Sequence, residues 1–248
     1  MSIQSNLDIV LLVAGRGSRL GTDAPKCLAV IGRDGETILD RQLAGLSGVA
    51  PLPPIAVVGY RHELIRARHP GLRFVRNDRY ADTNTAKSLL CALEGIRDRD
   101  VLWLNGDVVF DPAVVPQVLA SPHSCMAVNR ARCADEEIKY VTDGTGRIVR
   151  VSKQVVGGEG EAVGINRITA RDLHLFRRCL GACADRDYFE RGLELAIEQG
   201  LSLYPVDIGD LPCIEIDFPE DLERAKQMFG PESREANGLP ARGRVPVR

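Results

Sequence analysis

The stretch LLVAGRGSRLGTDAPKCL, Leu11 to Leu28, joins an apolar run to a loop holding three glycines, two arginines, a proline and a lysine. A dinucleotide fold would set G-x-G-x-x-G after such a strand, but Gly15, Gly17 and Gly21 put the last glycine one residue late. A glycine-rich turn after a buried strand instead exposes successive backbone N–H groups, which cradle phosphate oxygens with no side chain in the way. Arg16, Arg19 and Lys26 then neutralise the charge, and Pro25 fixes the backbone just before Lys26. An ordinary turn with solvated basic residues is the plainer reading. The narrow pattern Gly-x-Gly-x-Arg followed by Pro-Lys favours the phosphate.

Apolar runs rich in β-branched residues recur at Ile9 to Val13, Ile55 to Val58, Leu72 to Val75 and Val101 to Leu104. Stretches of helical period separate them, as in Ile38, Leu39, Leu43, Leu46 and in Leu89, Leu90, Leu93, Ile96. This alternation predicts an α/β fold, Rossmann-like, with a mixed, mainly parallel sheet and helices on both faces. Such sheets bind ligands at the carboxyl ends of their strands, where the opening loop and Asn105 to Asp107 both fall. After residue 120 the pattern changes. Ile138 to Thr142 and Arg147 to Ser152 flank Asp143-Gly144-Thr145-Gly146, a small β-hairpin extension, and Ala162 to Ile168 reads as a further strand. Thr169 to Asp172 offers a capping box for a helix running towards Cys179, Ile214 to Ile216 a last short strand, and Pro219 the first turn of a helix through Phe229. Residues 1–230 are expected to form one domain, and 231–248, rich in Gly, Pro and Arg without periodicity, a disordered tail.

A net charge of −2 over 248 residues leaves no global field for nucleic acid or an anionic membrane, so any anion site is local. The N-terminus lacks a basic n-region and its apolar run is too short to span a bilayer, so neither signal peptide nor membrane helix is expected, and the cytoplasm is the expected compartment. Seven scattered cysteines without a C-x-x-C pair fit reduced thiols, and His62, His69, His123 and His174 show no ligand spacing.

Two acidic segments remain. Asn105-Gly106-Asp107 ends a hydrophobic strand, and Glu215 and Asp217 lie two apart on a short strand, hence on one face. Mg²⁺ keeps several waters and takes one or two carboxylates plus substrate phosphates, so Asp107 and Asp217 suffice, with Glu215 a third ligand or a partner to one. Glu220 and Asp221 follow Pro219 in a first helical turn, where the helix dipole accounts for them.

The loop resembles the nucleotidyltransferase family that activates phosphorylated sugars and small phosphorylated alcohols, whose signature is L-x-x-G-x-G-x-R-L followed by P-K; this chain has Val13-Ala14 where alanines are usual. The resemblance implies that Val13, Ala14, Gly15, Arg16 and Gly17 wrap a nucleoside triphosphate, that Arg19 and Lys26 are the catalytic cations, and that Mg²⁺ assists. Asp107 and the run CIEIDFPEDL match the family's G-D and E-I-D-x-x-x-D-L elements, and Asn105 adjoins the nucleotide. Asn84 and Ser88, i and i+4 at a helix start and preceded by Tyr80, resemble the N-x-x-x-S-L element of the branch handling phosphocholine and aminoalkylphosphonates, which implies a base or ribose contact. Lys139 and Lys153, on the two strands of the hairpin, match that branch's acceptor lysines, with Ile138 in place of methionine; Glu161 and Gly164 match its E-x-x-G-I element. A quaternary ammonium would want an aromatic cage, for which Tyr140, Tyr188 and Phe189 are available, while Glu161 suits a primary amine or polyol hydroxyls.

The expectation is therefore in-line attack by an acceptor phosphate or phosphonate oxygen on the α-phosphorus of CTP, with pyrophosphate leaving and no general base required. Two alternatives stand beside it: activation of a sugar 1-phosphate with UTP, dTTP or GTP, and a catalytically silent nucleotide-binding subunit.

Overall fold

All seven residues of the first strand, β1 (Leu7–Val13), are buried, as expected of a strand covered on both faces. Their side chains alternate. Leu7, Ile9, Leu11 and Val13 join one apolar cluster, while Val10 and Leu12 join the other. The computed structural model describes residues 5–21, 23–131 and 137–230. The expected tail, 231–248, lies outside them.

In chain order β1 is followed by α1 (Ile38–Gly45), β2 (Ile55–Val58), α2 (His62–Arg68), β3 (Arg73–Arg76), α3 (Thr85–Leu93) and β4 (Asp100–Asn105). Then come β5 (Val108–Phe110), α4 (Val114–Ala120), β6 (Ser124–Asn129), β7 (Lys139–Thr142), β8 (Ile148–Ser152) and β9 (Glu161–Ile168). The described chain ends with α5 (Ala170–Ala182), α6 (Phe189–Glu198), β10 (Leu203–Asp207), β11 (Cys213–Glu215) and α7 (Pro219–Phe229). The main sheet runs β10-β6-β9-β4-β1-β2-β3; β7 and β8 extend it as a hairpin, and β5 pairs with β11 separately. β1 is parallel to β2 and β4, β2 to β3, and β6 to β10, whereas β9 runs antiparallel between β4 and β6. The predicted mixed, mainly parallel sheet with helices on both faces is thus the observed one.

The order puts β2 and β3 on one side of β1 and β4 on the other, so the carboxyl ends of β1 and β4 flank the crevice where the chain reverses direction across the sheet. One face carries α1, α2 and α4 through Leu39, Ile65 and Val115; the other carries α3, α5 and α6 through Leu89, Phe176 and Leu193. Trp103 lies at the centre of the second face, stacked on Phe176 at 5.3 Å and edge-on to Phe189 at 5.6 Å. At the opposite end of the sheet Asp8, 3% exposed, ties the strands together by accepting from Arg73 at 2.5 Å and Arg99 at 2.7 Å.

Several expectations change. The further strand at Ala162 to Ile168 is present as β9, and it lies inside the sheet between β4 and β6. Thr169 caps α5 without a capping box: its N–H donates to Ser124 Oγ, and its hydroxyl donates to Asp172. A genuine capping box, Thr37 with Asp40, opens α1 instead. Lys153 lies one residue past β8, so it is not a strand residue.

One core position is at odds with its surroundings. Phe189, Leu193 and Ala196 of α6 are buried, and Glu190 is buried with them at 7% exposure. Burial pushes its carboxyl up to about 7, against 4.5 for an ordinary glutamate, and Lys153 offsets only part of this. Because the folded state holds the proton more tightly than the unfolded one, stability is lost as pH rises from about 4.5 to about 7, by roughly 3 kcal/mol in all. Glu190→Gln keeps the shape without the charge. In thermal melts it is expected to exceed wild type by about 5–10 °C at pH 8 and to lie within about 2 °C of it at pH 4.5.

Candidate active site

Lys26 is brought to the crevice by the loop after β1. Its ammonium stands 2.8 Å from Asp107 Oδ2 and 2.6 Å from Asp217 Oδ1, and the side chain is 14% exposed. Gly17 makes this placement possible. Its φ of +62° lies in the left-handed region, and a Cβ there would come within 2.6 Å of Lys26 Cβ. The loop is also held from outside: Tyr60 N–H donates to Ala14 O, and Arg61 and the Tyr60 hydroxyl donate to Asp23 O at 2.5 and 3.4 Å. Arg16 lies over the Tyr60 ring at 5.4 Å, and Arg19 over Phe218 at 5.5 Å while reaching Asp217 Oδ2 at 3.5 Å. Val13 and Ala14 are buried in opposite clusters, so what they offer a ligand is backbone.

Asp107 comes from the turn between β4 and β5. Gln42 of α1 holds that turn, donating through Nε2 to Asn105 O at 2.7 Å and Val108 O at 2.8 Å. β5 pairs antiparallel with β11, setting Glu215 opposite Val108, and Ile216 N–H donates to Asp107 O. This pairing joins acids more than a hundred residues apart. One carboxylate oxygen from each of Asp107, Glu215 and Asp217 lies within 4.8 Å of the others. Asp217 is steadied by Asp221, whose Oδ2 accepts from the N–H groups of Asp217 at 3.0 Å and Phe218 at 2.8 Å while Oδ1 accepts from Arg224. Asp221 therefore does more than offset a helix dipole. It fixes the backbone that carries Asp217.

Three acids in one small space are met by the ammonium of Lys26. Burial first, and then the charges of Asp107 and Asp217, raise the Glu215 carboxyl well above the usual range. Burial alone would lower the Lys26 ammonium, but Asp107 and Asp217 outweigh it and raise it. Asp107 Oδ1 is buried and has no hydrogen-bond donor among the described residues. Oxygen ligands of this kind, with one lone-pair site unclaimed, fit a hard divalent cation such as Mg²⁺.

The other expected residues distribute unevenly around this centre. Asn105 has a buried Oδ1 with no partner among the described residues, and its side chain lies against Gly164, where φ is +71° and a Cβ would stand 3.0 Å from Asn105 Nδ2. Asn84 caps α3, accepting from Thr85 N–H and donating to Arg186 O at 3.3 Å. Ser88 is buried and accepts from Asn77 Nδ2 at 3.0 Å; Asn77 also donates to Thr83 Oγ1, so Ser88 works inside the bonding of its own segment. Gly15 is open to solvent, with no atom near where a Cβ would stand. Lys139 of β7 pairs in register with both Ser152 and Glu161. Glu137, which nothing in the sequence marked, is an acid whose carboxyl is raised by burial first and then by the charge of Glu161, with Lys153 opposing and Asp217 and Asp221 adding to the rise. Gln42, Asn77 and Glu137 carry no local signature, whereas Asp221 stands in the acidic run itself and acts on backbone three and four residues before it.

Residues 9–201 match the MobA-like NTP transferase domain family. A CMP-5'-(3-aminopropyl)phosphonate synthase of Streptomyces rubellomurinus is 31% identical over 245 residues, covering 90% of this chain, which spans only 38% of that relative's length. Two solved structures share the fold: the inositol-1-phosphate CTP transferase of T. maritima, with a TM-score of 0.74, 20% identity and coverage of 97% of this chain and 100% of that one, and the CTP:phosphocholine cytidylyltransferase of Streptococcus pneumoniae, with a TM-score of 0.72, 18% identity and coverage of 90% and 99%. Because the family match runs from β1 to beyond α6 and takes in the loop with Lys26 and the strand end with Asp107, the chain belongs to the MobA-like NTP transferase domain family, a family of nucleotidyltransferases.

Proposed function

We propose that the chain transfers CMP from CTP to a small phosphonate or phosphorylated alcohol, with release of pyrophosphate and with Mg²⁺ as cofactor. The observation that carries this reading is the meeting of Lys26 with Asp107, Glu215 and Asp217 at the carboxyl ends of β1 and β4. A lysine between carboxylates serves as counter-ion to either sign: to the acids as they stand, and to triphosphate oxygens once a divalent cation takes the acids. When bound, Mg²⁺ would be held by Asp107 and Asp217, with Glu215 beside them, and would supply Lewis-acid stabilisation of phosphate charge.

The chain's own part is positioning and electrostatics. Backbone N–H groups of Gly15 to Gly17 and the side chains of Arg16, Arg19 and Lys26 hold the triphosphate; Asn84 and Asn105 lie towards the nucleoside, and Ser88 supports that segment through Asn77. Lys139 and Lys153, with Glu161 and Gly164, hold the acceptor. An acceptor oxygen attacks the α-phosphorus as the bond to the β-phosphate oxygen breaks, and pyrophosphate leaves with that electron pair. The acceptor is already anionic, so no proton needs removing. The relative named for a CMP-phosphonate product supports CMP as the group transferred and a phosphonate as the acceptor.

Pyrophosphate release, measured with Mg²⁺ across CTP, UTP, dTTP and GTP and across phosphonate, phosphocholine, polyol-phosphate and sugar 1-phosphate acceptors, tests the reading. CTP with a phosphonate or phosphorylated alcohol is expected to dominate. Preference for UTP with a sugar 1-phosphate would replace this function with sugar activation, and nucleotide binding without any turnover would indicate the silent subunit. No helix among the described residues is long and apolar enough to cross a membrane.

A further inference from the structure

Arg61 stands at the corner between β2 and α2 with φ +42° and ψ +42°, in the left-handed region that strains most L-residues. Among the described residues only three non-glycines have positive φ, and the other two, Asp34 and Asp98, are aspartates, a residue type that tolerates it. Arg61 also directly precedes α2, where Ser, Thr, Asp or Asn would accept a hydrogen bond from the helix, and its side chain makes no such bond. The chain thus forgoes both an easy backbone and a cap here. Strain of this kind persists where neighbouring contacts over-determine it, and it concentrates at functional sites.

The contacts of the corner lead to the loop after β1. Arg61 Nη1 donates to Asp23 O at 2.5 Å, joined by the Tyr60 hydroxyl at 3.4 Å, while Tyr60 N–H donates to Ala14 O at 3.0 Å. Two consecutive residues therefore hold the loop at its start and again just before Lys26. Gly59 lets the corner come this close, since a Cβ there would stand 2.8 Å from Ala14 O and 2.5 Å from Tyr80 Cβ. Glu63, 3.8 Å from Arg61 Nε and 61% exposed, is too distant and too solvated to account for the strain. Asp23 stands three residues before Lys26, and Pro25, with φ −53° and ψ 135°, stiffens the link between them. Gly17 leaves room for Lys26, but it does not fix where the lysine starts. The hold on Asp23 does.

We propose that Arg61 is a positioning residue for nucleotide binding: its guanidinium clamps the Asp23 carbonyl, so that the backbone N–H groups of Gly15 to Gly17 and the Lys26 ammonium stand in their triphosphate-binding arrangement before nucleotide arrives. This rests on the function proposed above. Arg61 acts through the loop, without touching the nucleotide. An unclamped loop would have to be ordered by the ligand, whereas the clamped one is ordered by folding, and the difference appears as affinity.

Three variants separate this role from a merely structural one. Arg61→Ala removes the guanidinium and keeps the backbone strain, Arg61→Gly removes both, and Arg61→Lys keeps one cationic donor. Each is compared with wild type in calorimetric binding of CTP with Mg²⁺, in pyrophosphate release and in thermal melts. Arg61→Ala and Arg61→Gly should both bind CTP about 10- to 100-fold more weakly, the range expected for loss of a hydrogen bond from a charged group, with KM for the acceptor within about threefold of wild type. Arg61→Lys should recover part of the loss. Arg61→Gly should nevertheless melt about 2–4 °C above Arg61→Ala, because glycine relieves the strain. CTP affinity like wild type in Arg61→Ala, an equal loss on the acceptor, or affinity that recovers in Arg61→Gly along with the melting temperature would overturn the clamp while leaving cytidylyl transfer intact. A wild type that binds nucleotide without turnover would remove the transferase reading, and the affinity ratios of the variants would still decide the clamp.

Discussion

Replacing Lys26 by alanine is expected to lower pyrophosphate release by about 10²- to 10³-fold, the range seen when one preorganised electrostatic contact to a developing oxyanion is lost. The ammonium lies within 2.8 Å of two carboxylates that stand more than a hundred residues apart in the sequence. Its loss leaves Asp107, Glu215 and Asp217 facing one another without an internal cation, and removes the charge that would meet the triphosphate. Asp107→Ala should cause a loss of the same order for the complementary reason: one carboxylate of the set disappears and Lys26 relaxes towards Asp217. Both proteins should still unfold in one cooperative transition, because the clusters packed on the two sheet faces contain neither side chain. Turnover like wild type in either variant would defeat the assignment.

Gly17→Val is expected to approach the Lys26 variant in severity without removing any charge. The backbone at Gly17 has φ +62°, a region that costs an L-residue roughly 1–2 kcal/mol and a β-branched one more. A Cβ there would stand 2.6 Å from Lys26 Cβ, closer than any real contact, so the lysine or the loop must move. Gly21 supplies the control. Its φ is +66°, but no atom lies within 4 Å of where its Cβ would be, so Gly21→Ala meets the backbone strain without the collision. Pyrophosphate release should therefore fall about 100-fold or more in Gly17→Val and by less than about tenfold in Gly21→Ala, while the backbone strain lowers the melting temperature of both by only about 2–8 °C.

These residues were readable in the sequence because their chemistry is local. An apolar run followed by glycines and spaced cations states its own geometry: β2 and the helix from Pro219 to Phe229 lie where the apolar run and the proline placed them, and β1 begins two residues before the expected Ile9. Elements whose form depends on neighbours were not. β5 has three residues and exists by pairing with β11; β10 contains Pro205, tolerated because it is an edge strand; α4, VVPQVLA, combines β-branched residues with a proline and is buried through Val114, Val115 and Val118. β6 runs SCMAVN, with neither alternation nor β-branched enrichment, because it is buried on both faces. The site divides in the same way. Lys26 and Asp107 follow strands, and Asp217 and Asp221 sit in one recognisable acidic run, whereas Gln42 holding the Asn105–Val108 turn and Asn77 holding Ser88 have meaning only once the chain has folded.

The claim on which the account rests is that the cationic loop and the acids grip a triphosphate and a divalent metal together. Crystals grown with CTP and Mn²⁺ in place of Mg²⁺ test it directly through the manganese anomalous signal. The account predicts a peak between Asp107 and Asp217 that also touches triphosphate oxygens, with Lys26 turned from the acids towards phosphate. Nucleotide bound with Lys26 still bridging both aspartates and no metal peak beside them would contradict it.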